Sequence, residues 1–380
     1  MGSSWKIGIV AALVLVVIGT TTLVFSQEAS PLQAGGRDAN GTLIIQNGVL
    51  PPSVIESDDA KRLLAPPPGG AGRGGGRAAA ATDGATSAAP AAPLSMAEQR
   101  LRAYENAKPR IQHAVDLYPV DIEETFMDGI SVAVVTPKGG VPAANKNRVM
   151  LNVGGGGFRT NNRSVGLFIS IPVASLGKMK VVTASYRQAP EFRFPAATED
   201  FTKVYKYLLK TYKPKNIGMF GCSAGGALIA ESVAAFQKEG LPAPGVLGLY
   251  CSGAGGRFDG DSLSYSNLTS RGGSQASAAP GMTGKDEYFE GMDLNRTDIS
   301  PVMDLEILKK FPPTLLATGT RDFAMSMAAY THRRLVAAGV DTRLLIFDGM
   351  GHGFMTNPDL PESRELYEDS VKFYDKHLGR

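Results

Sequence analysis

Ile217-Gly218-Met219-Phe220-Gly221-Cys222-Ser223-Ala224-Gly225-Gly226-Ala227 is the stretch that decides how this chain is read. Its first four residues have the composition of a buried strand, a helix begins near Ala227, and Gly221, Ser223 and Gly225 between them spell G-x-S-x-G. Glycines on both sides of the serine permit a sharp strand-to-helix turn that strains the serine backbone and lifts its hydroxyl above a sheet. The following N–H, that of Ala224, then faces negative charge developing on a nearby oxygen. The spacing alone arises by chance; its strand-turn-helix setting gives it weight.

Outward from this turn, β-rich runs alternate with helical ones. The pattern predicts strands at Ile130 to Val135, Val149 to Val153, Val181 to Tyr186, Val246 to Tyr250, Thr314 to Thr318 and Thr342 to Phe347. It predicts helices at Met96 to Ala107, Ala196 to Tyr212, Gly225 to Lys238, Met325 to Ala338 and Glu362 to Leu378. Such alternation implies a mostly parallel sheet covered on both faces, with the ligand site beyond the carboxyl ends of the strands.

A serine nucleophile needs a base. Among the four histidines, His113 precedes the sheet, His332 lies within a helical run and His377 ends the last helix. His352, in Met350-Gly351-His352-Gly353-Phe354, follows the last strand and falls at the same sheet edge as Ser223. The acid that orients it belongs between serine and histidine in chain order. Asp322, after the Leu315 to Thr318 strand, fits; Asp348 is the weaker alternative. Upstream, Gly154-Gly155-Gly156-Gly157-Phe158 follows a strand, and backbone N–H groups of Gly155, Gly156 and Gly157 join that of Ala224 as expected oxyanion donors.

With these motifs the chain resembles the hormone-sensitive-lipase-like serine esterases of the α/β-hydrolase superfamily, over roughly Glu124 to Leu378. Three motifs in the family's order carry the resemblance: the glycine loop, Tyr186-Arg187-Gln188-Ala189-Pro190-Glu191 with Phe194-Pro195-Ala196-Ala197, and Gly221 to Gly226. Two positions depart from the family pattern: Gly154 stands where a histidine opens the glycine loop, and Cys222 where an acidic residue precedes the serine. The resemblance implies an α/β-hydrolase fold with a small helical and irregular cap. It also implies cleavage of short to medium acyl esters or lactones through an acyl-enzyme on Ser223. No cofactor is implied.

The ends of the chain read differently. Ile7 to Phe25 is an almost unbroken apolar run after Lys6, the layout of an export signal with Val24-Phe25-Ser26 as its cleavage region. It is also long enough to anchor the chain in a bilayer. Both readings put the rest of the protein outside the cytoplasm, periplasmic, secreted or anchored. Residues 27–93, rich in Ala, Gly and Pro, bury too little apolar surface to offset chain entropy and are expected to form a disordered tether. Residues 94–380 form the expected hydrolase domain, with cap elements at about 94–118 and 257–297.

The charge balance, 39 Lys+Arg against 36 Asp+Glu, shows no basic stripe for a phosphate backbone, which argues against nucleic acid. Cys222 and Cys251 are too few for a disulfide framework, and they read as two buried free thiols or as one pair. No His/Cys/Asp/Glu spacing in the sequence suggests a metal. The expected partner is a small-molecule ester, and the oligomeric state is open. An amidase or peptidase on the same fold, or a noncatalytic ligand-binding member, are the other readings.

Overall fold

The computed structural model describes residues 33–37, 43–46, 55, 57–64, 94–160, 162–256, 258–269 and 285–379. The chain divides into two units, residues 1–51 and 52–380. In the first, β1 (Gln33–Arg37) pairs antiparallel with β2 (Leu43–Gln46). The apolar run at 7–25 lies outside the described residues; among those described, no helix is long and apolar enough to cross a membrane.

The second unit is built on an eight-stranded sheet: β3 (Val120–Met127), β4 (Ile130–Pro137), β5 (Val149–Val153), β6 (Lys180–Ala184), β7 (Ile217–Cys222), β8 (Val246–Tyr250), β9 (Thr314–Arg321) and β10 (Thr342–Gly351). In space the order is β10-β9-β8-β7-β5-β6-β4-β3, with β4 antiparallel to both its neighbours and every other pair parallel. Every residue of β5, β7 and β8 is buried, as strands with both faces covered require. The flanking β3, by contrast, is exposed or only partly buried at every position after Val120.

One face is covered by α4 (Ala196–Leu209), α5 (Ala224–Glu239) and α8 (Met325–Ala337). The other is covered by α3 (Asn162–Gly177) and α9 (Pro361–His377), with α2 (Met96–Leu117) packed on α3. The expected mostly parallel sheet with helices on both faces is thus what the chain forms. Helix α3 had no expected counterpart because its apolar residues are continuous rather than periodic: it lies under α2 and α9 and is apolar nearly all round.

One expectation needs correction. The stretch 27–93 is not a tether throughout: besides the β1–β2 hairpin it holds α1 (Asp58–Leu64), which docks on α9. The Ser57 hydroxyl accepts the Ala60 N–H, the Ser57 N–H reaches Glu362, and Ala60 is fully buried. A capped helix that buries Ala60 leaves little mark on the surrounding glycine- and proline-rich composition. Within the expected cap region at 257–297 lies α6 (Asp261–Thr269). A short helix, α7 (Leu305–Leu308), begins at Asp304, whose carboxylate accepts the Glu306 N–H.

Candidate active site

The strand-to-helix turn is tight because its glycines leave no room for anything else. A Cβ at Gly221 would meet the Gly225 backbone at 2.7 Å, and one at Gly226 would meet the Ser252 side chain at 2.7 Å. Ser223 itself takes φ 59° and ψ −127°, a strained conformation for a residue with a side chain. Its N–H is held by the Tyr250 carbonyl at 2.8 Å, which fixes the turn to the neighbouring strand. Ala224 opens α5, where helix geometry leaves the first N–H groups without partners inside the helix.

His352 lies directly beyond β10, and its ring bridges two partners. Nε2 stands 2.8 Å from Ser223 Oγ and Nδ1 stands 2.7 Å from Asp322 Oδ1. Asp322 follows β9, is fully buried, and accepts the Thr318 hydroxyl at 2.9 Å and the Ala324 N–H at 2.8 Å. Burial alone pushes the Asp322 carboxyl up; the His352 charge and the hydrogen bonds outweigh it and hold the carboxyl below its usual range. Burial likewise pulls the imidazole down, but the carboxylate of Asp322 dominates and raises it above its ordinary value. Phe323 stacks on the His352 ring at 4.0 Å and is packed in turn by Phe258, from one of the expected cap regions. Asp348, the weaker acid candidate, instead accepts the Thr320 hydroxyl.

The glycine loop leaves β5 and lies against the turn. A Cβ at Gly155 would stand 2.6 Å from the Cys222 carbonyl and 2.9 Å from the Ser223 Cβ, so only glycine allows this approach. Gly156 and Gly157 have φ of 120° and 62°. The loop is fastened by residues whose role the sequence did not reveal. The Tyr186 hydroxyl donates to the Gly154 carbonyl at 3.2 Å, and the Ala189 N–H donates to the Phe158 carbonyl at 2.9 Å. Phe158 is fully buried, stacked on Tyr288 at 4.5 Å and edge-on to Phe289. Arg100 of α2 donates to the carbonyls of Arg159 and Ala189 and pairs with Glu191 at 2.7 Å. The Tyr186 to Glu191 motif therefore braces the glycine loop, with Arg187 pinned to Asp200 beneath it.

A family model for the alpha/beta hydrolase fold matches residues 150–356. The chain belongs to this family. It is similar to the versiconal hemiacetal acetate esterase of Dothistroma septosporum, 25% identical over 263 residues that cover 67% of this chain and 79% of that protein. The acetyl-hydrolase of Streptomyces hygroscopicus is 24% identical over 248 residues, covering 65% and 81%. Rabbit (Oryctolagus cuniculus) arylacetamide deacetylase is 29% identical over 129 residues, 32% of each chain. Among solved structures, esterase E25 aligns with a TM-score of 0.66 at 29% identity over 76% of this chain and 88% of that one. An esterase from the bacterial hormone-sensitive lipase family shares the fold at 24% identity, with a TM-score of 0.64 over 76% and 94%. The fold and the family resemblance read from the sequence are borne out.

Proposed function

We infer that this chain is a carboxylesterase-type serine hydrolase. The observation that carries the reading is the unbroken chain of hydrogen-bond distances Ser223 Oγ, His352 Nε2, His352 Nδ1, Asp322 Oδ1. These groups lie on three separate loops at one sheet edge, which a ligand-binding member with no chemistry to perform does not need.

Ser223 attacks the ester carbonyl as His352 Nε2 takes its proton, and Asp322 stabilises the imidazolium that forms. The oxyanion is received by the N–H of Ala224 and those of Gly155, Gly156 and Gly157, whose loop is already braced before substrate arrives. His352 then returns the proton to the departing alcohol. Water, deprotonated by the same nitrogen, releases the acid from Ser223.

The named activities of the acetate esterase and acetyl-hydrolase relatives support a short-acyl preference, within the short to medium esters or lactones expected above. The partial match to a deacetylase of arylacetamides supports amide cleavage as a second reading. Export is also part of the proposal, supported by Lys6 and the apolar run at 7–25, with anchoring through that run as the alternative.

The test is hydrolysis of p-nitrophenyl esters of increasing acyl length, with a matched anilide beside the acetate. The reading predicts turnover highest for short chains, faster for ester than for anilide, and lost in Ser223→Ala. Equal turnover by wild type and Ser223→Ala contradicts it.

A further inference from the structure

Directly behind the His352 loop lie two thiols that the hydrolytic chemistry does not use. Cys222 and Cys251 are free and buried. Cys222 ends β7 one residue before Ser223, and Cys251 directly follows β8 in the left-handed region at φ 47°. A third sulfur closes on both: Met355 Sδ stands 3.7 Å from Cys222 Sγ and 3.8 Å from Cys251 Sγ, and Met355 is fully buried. Cys251 Sγ also accepts the Gly353 N–H at 3.2 Å. The metal-ligating atoms of Cys251, Asp322 and His352 all lie within 4.8 Å of one another.

We propose that Cys222, Cys251 and Met355 form a binding site for a soft metal ion, copper(I), whose occupation switches the neighbouring hydrolytic site off. Thiolate and thioether donors form a soft set that suits copper(I), and the thioether of Met355 favours it over zinc, whose usual ligands are Cys, His and carboxylate. Thiolate–metal bonds of about 2.3 Å place ligand sulfurs roughly 3.8 Å apart in a compact site. The two sulfur–sulfur separations to Met355 already have that value, so the ion needs little rearrangement of the donors. No spacing in the sequence signals the site, because its ligands come from the ends of two strands and from the turn after the third.

Binding forms two Cu–thiolate bonds and one Cu–thioether bond, and both thiol protons leave to solvent; no electron is transferred. Cys251 Sγ accepts the Gly353 N–H, so drawing Cys251 and Met355 onto the ion pulls on the 351–354 segment that carries His352. The sulfurs are buried, so entry waits on a local opening of this segment and is slow. Metal binding stands independently of the esterase reading, whereas the inhibition rests on it.

The experiment titrates the purified full-length chain anaerobically with copper(I) buffered by a chromogenic chelator. Occupation is read by X-ray absorption and function by p-nitrophenyl acetate hydrolysis. The expected result is one copper per chain with three sulfur neighbours at about 2.3 Å, and activity that falls in step with occupancy and returns on chelation. Met355→Leu, which keeps the hydrolytic groups, is expected to weaken copper(I) at least tenfold. Cys222→Ala is expected to abolish binding, whatever its activity. Copper bound through nitrogen or oxygen neighbours, binding unchanged in both variants, or no binding at micromolar copper(I) would overturn the site. Full occupancy with unchanged hydrolysis would overturn the switch and leave the esterase reading standing. A chain with no hydrolysis before copper is added would sink the esterase reading and the switch, with the spectroscopic arm still deciding the site.

Discussion

Asp322 is buried with a negative charge, and that is tolerated only because each of its oxygens has partners: Thr318 on one, His352 and Ala324 on the other. Asp322→Asn keeps the shape but removes the charge that fixes the imidazole tautomer. A fall in kcat of about 10^4-fold is expected, with KM little changed. The same pairing sets the pH response. His352 is held above its ordinary value of about 6.5, and only the neutral ring can act as base. The acid limb of kcat/KM is therefore expected to have its midpoint above 6.5 in the wild type and to move down in the residual activity of Asp322→Asn. A midpoint unchanged by the substitution contradicts this coupling. In stability the sign runs the same way: the His352 contribution is complete below pH 6.5 and lost as pH rises through the raised folded value.

Elements make the site by their ends. The carboxyl ends of β5, β7, β9 and β10 deliver the glycine loop, Ser223, Asp322 and His352 to one edge. Ser223, His352 and Asp322 stood out in the sequence because each comes within a few residues of the end of a β-rich run. Tyr186 was not legible as a brace, because its partner is a backbone carbonyl on a strand-following loop distant in sequence. Tyr186→Phe is expected to lower kcat roughly fivefold, the loss of about one hydrogen bond, with KM nearly constant. A larger rise in KM than fall in kcat speaks against a bracing role. Helix α5 carries a second feature that periodicity hides: Glu231 is fully buried, with the Thr198 hydroxyl at 3.4 Å and its Oε1 without a partner. Burial raises its carboxyl well above the usual range, so the folded state keeps a proton that the unfolded chain releases. Its folded stability is complete below the unfolded carboxylate value near 4.3 and declines by up to about 1.4 kcal/mol per pH unit above it. Glu231→Gln is expected to raise Tm at pH 8 more than at pH 5; an equal shift at both contradicts a protonated Glu231.

For the molecule as a whole, the parallel core was readable because β7 and β8 are unbroken apolar runs and β5 is interrupted only by Asn152, and buried strands of that kind have few alternatives. The amino-terminal part departs from its expected reading in one respect, since composition averages over length and a seven-residue helix that buries Ala60 leaves little trace in it. Starting the chain at residue 94 removes the Ser57–Glu362 bond and uncovers the face of α9 that Ala60 packs. That truncation is expected to cost about 1 to 2 kcal/mol, seen as a lower Tm, while leaving kcat for p-nitrophenyl acetate within twofold. Loss of activity with an unchanged Tm would instead place the amino-terminal segment at the site. The central claim, that Ser223 is the nucleophile activated by His352, is tested most directly by intact-mass measurement after exposure to a fluorophosphonate. One adduct per chain, mapped to Ser223, slowed in His352→Ala and missing from Ser223→Ala, is the predicted result. Labelling at another residue, or none in a folded wild-type chain, would contradict it.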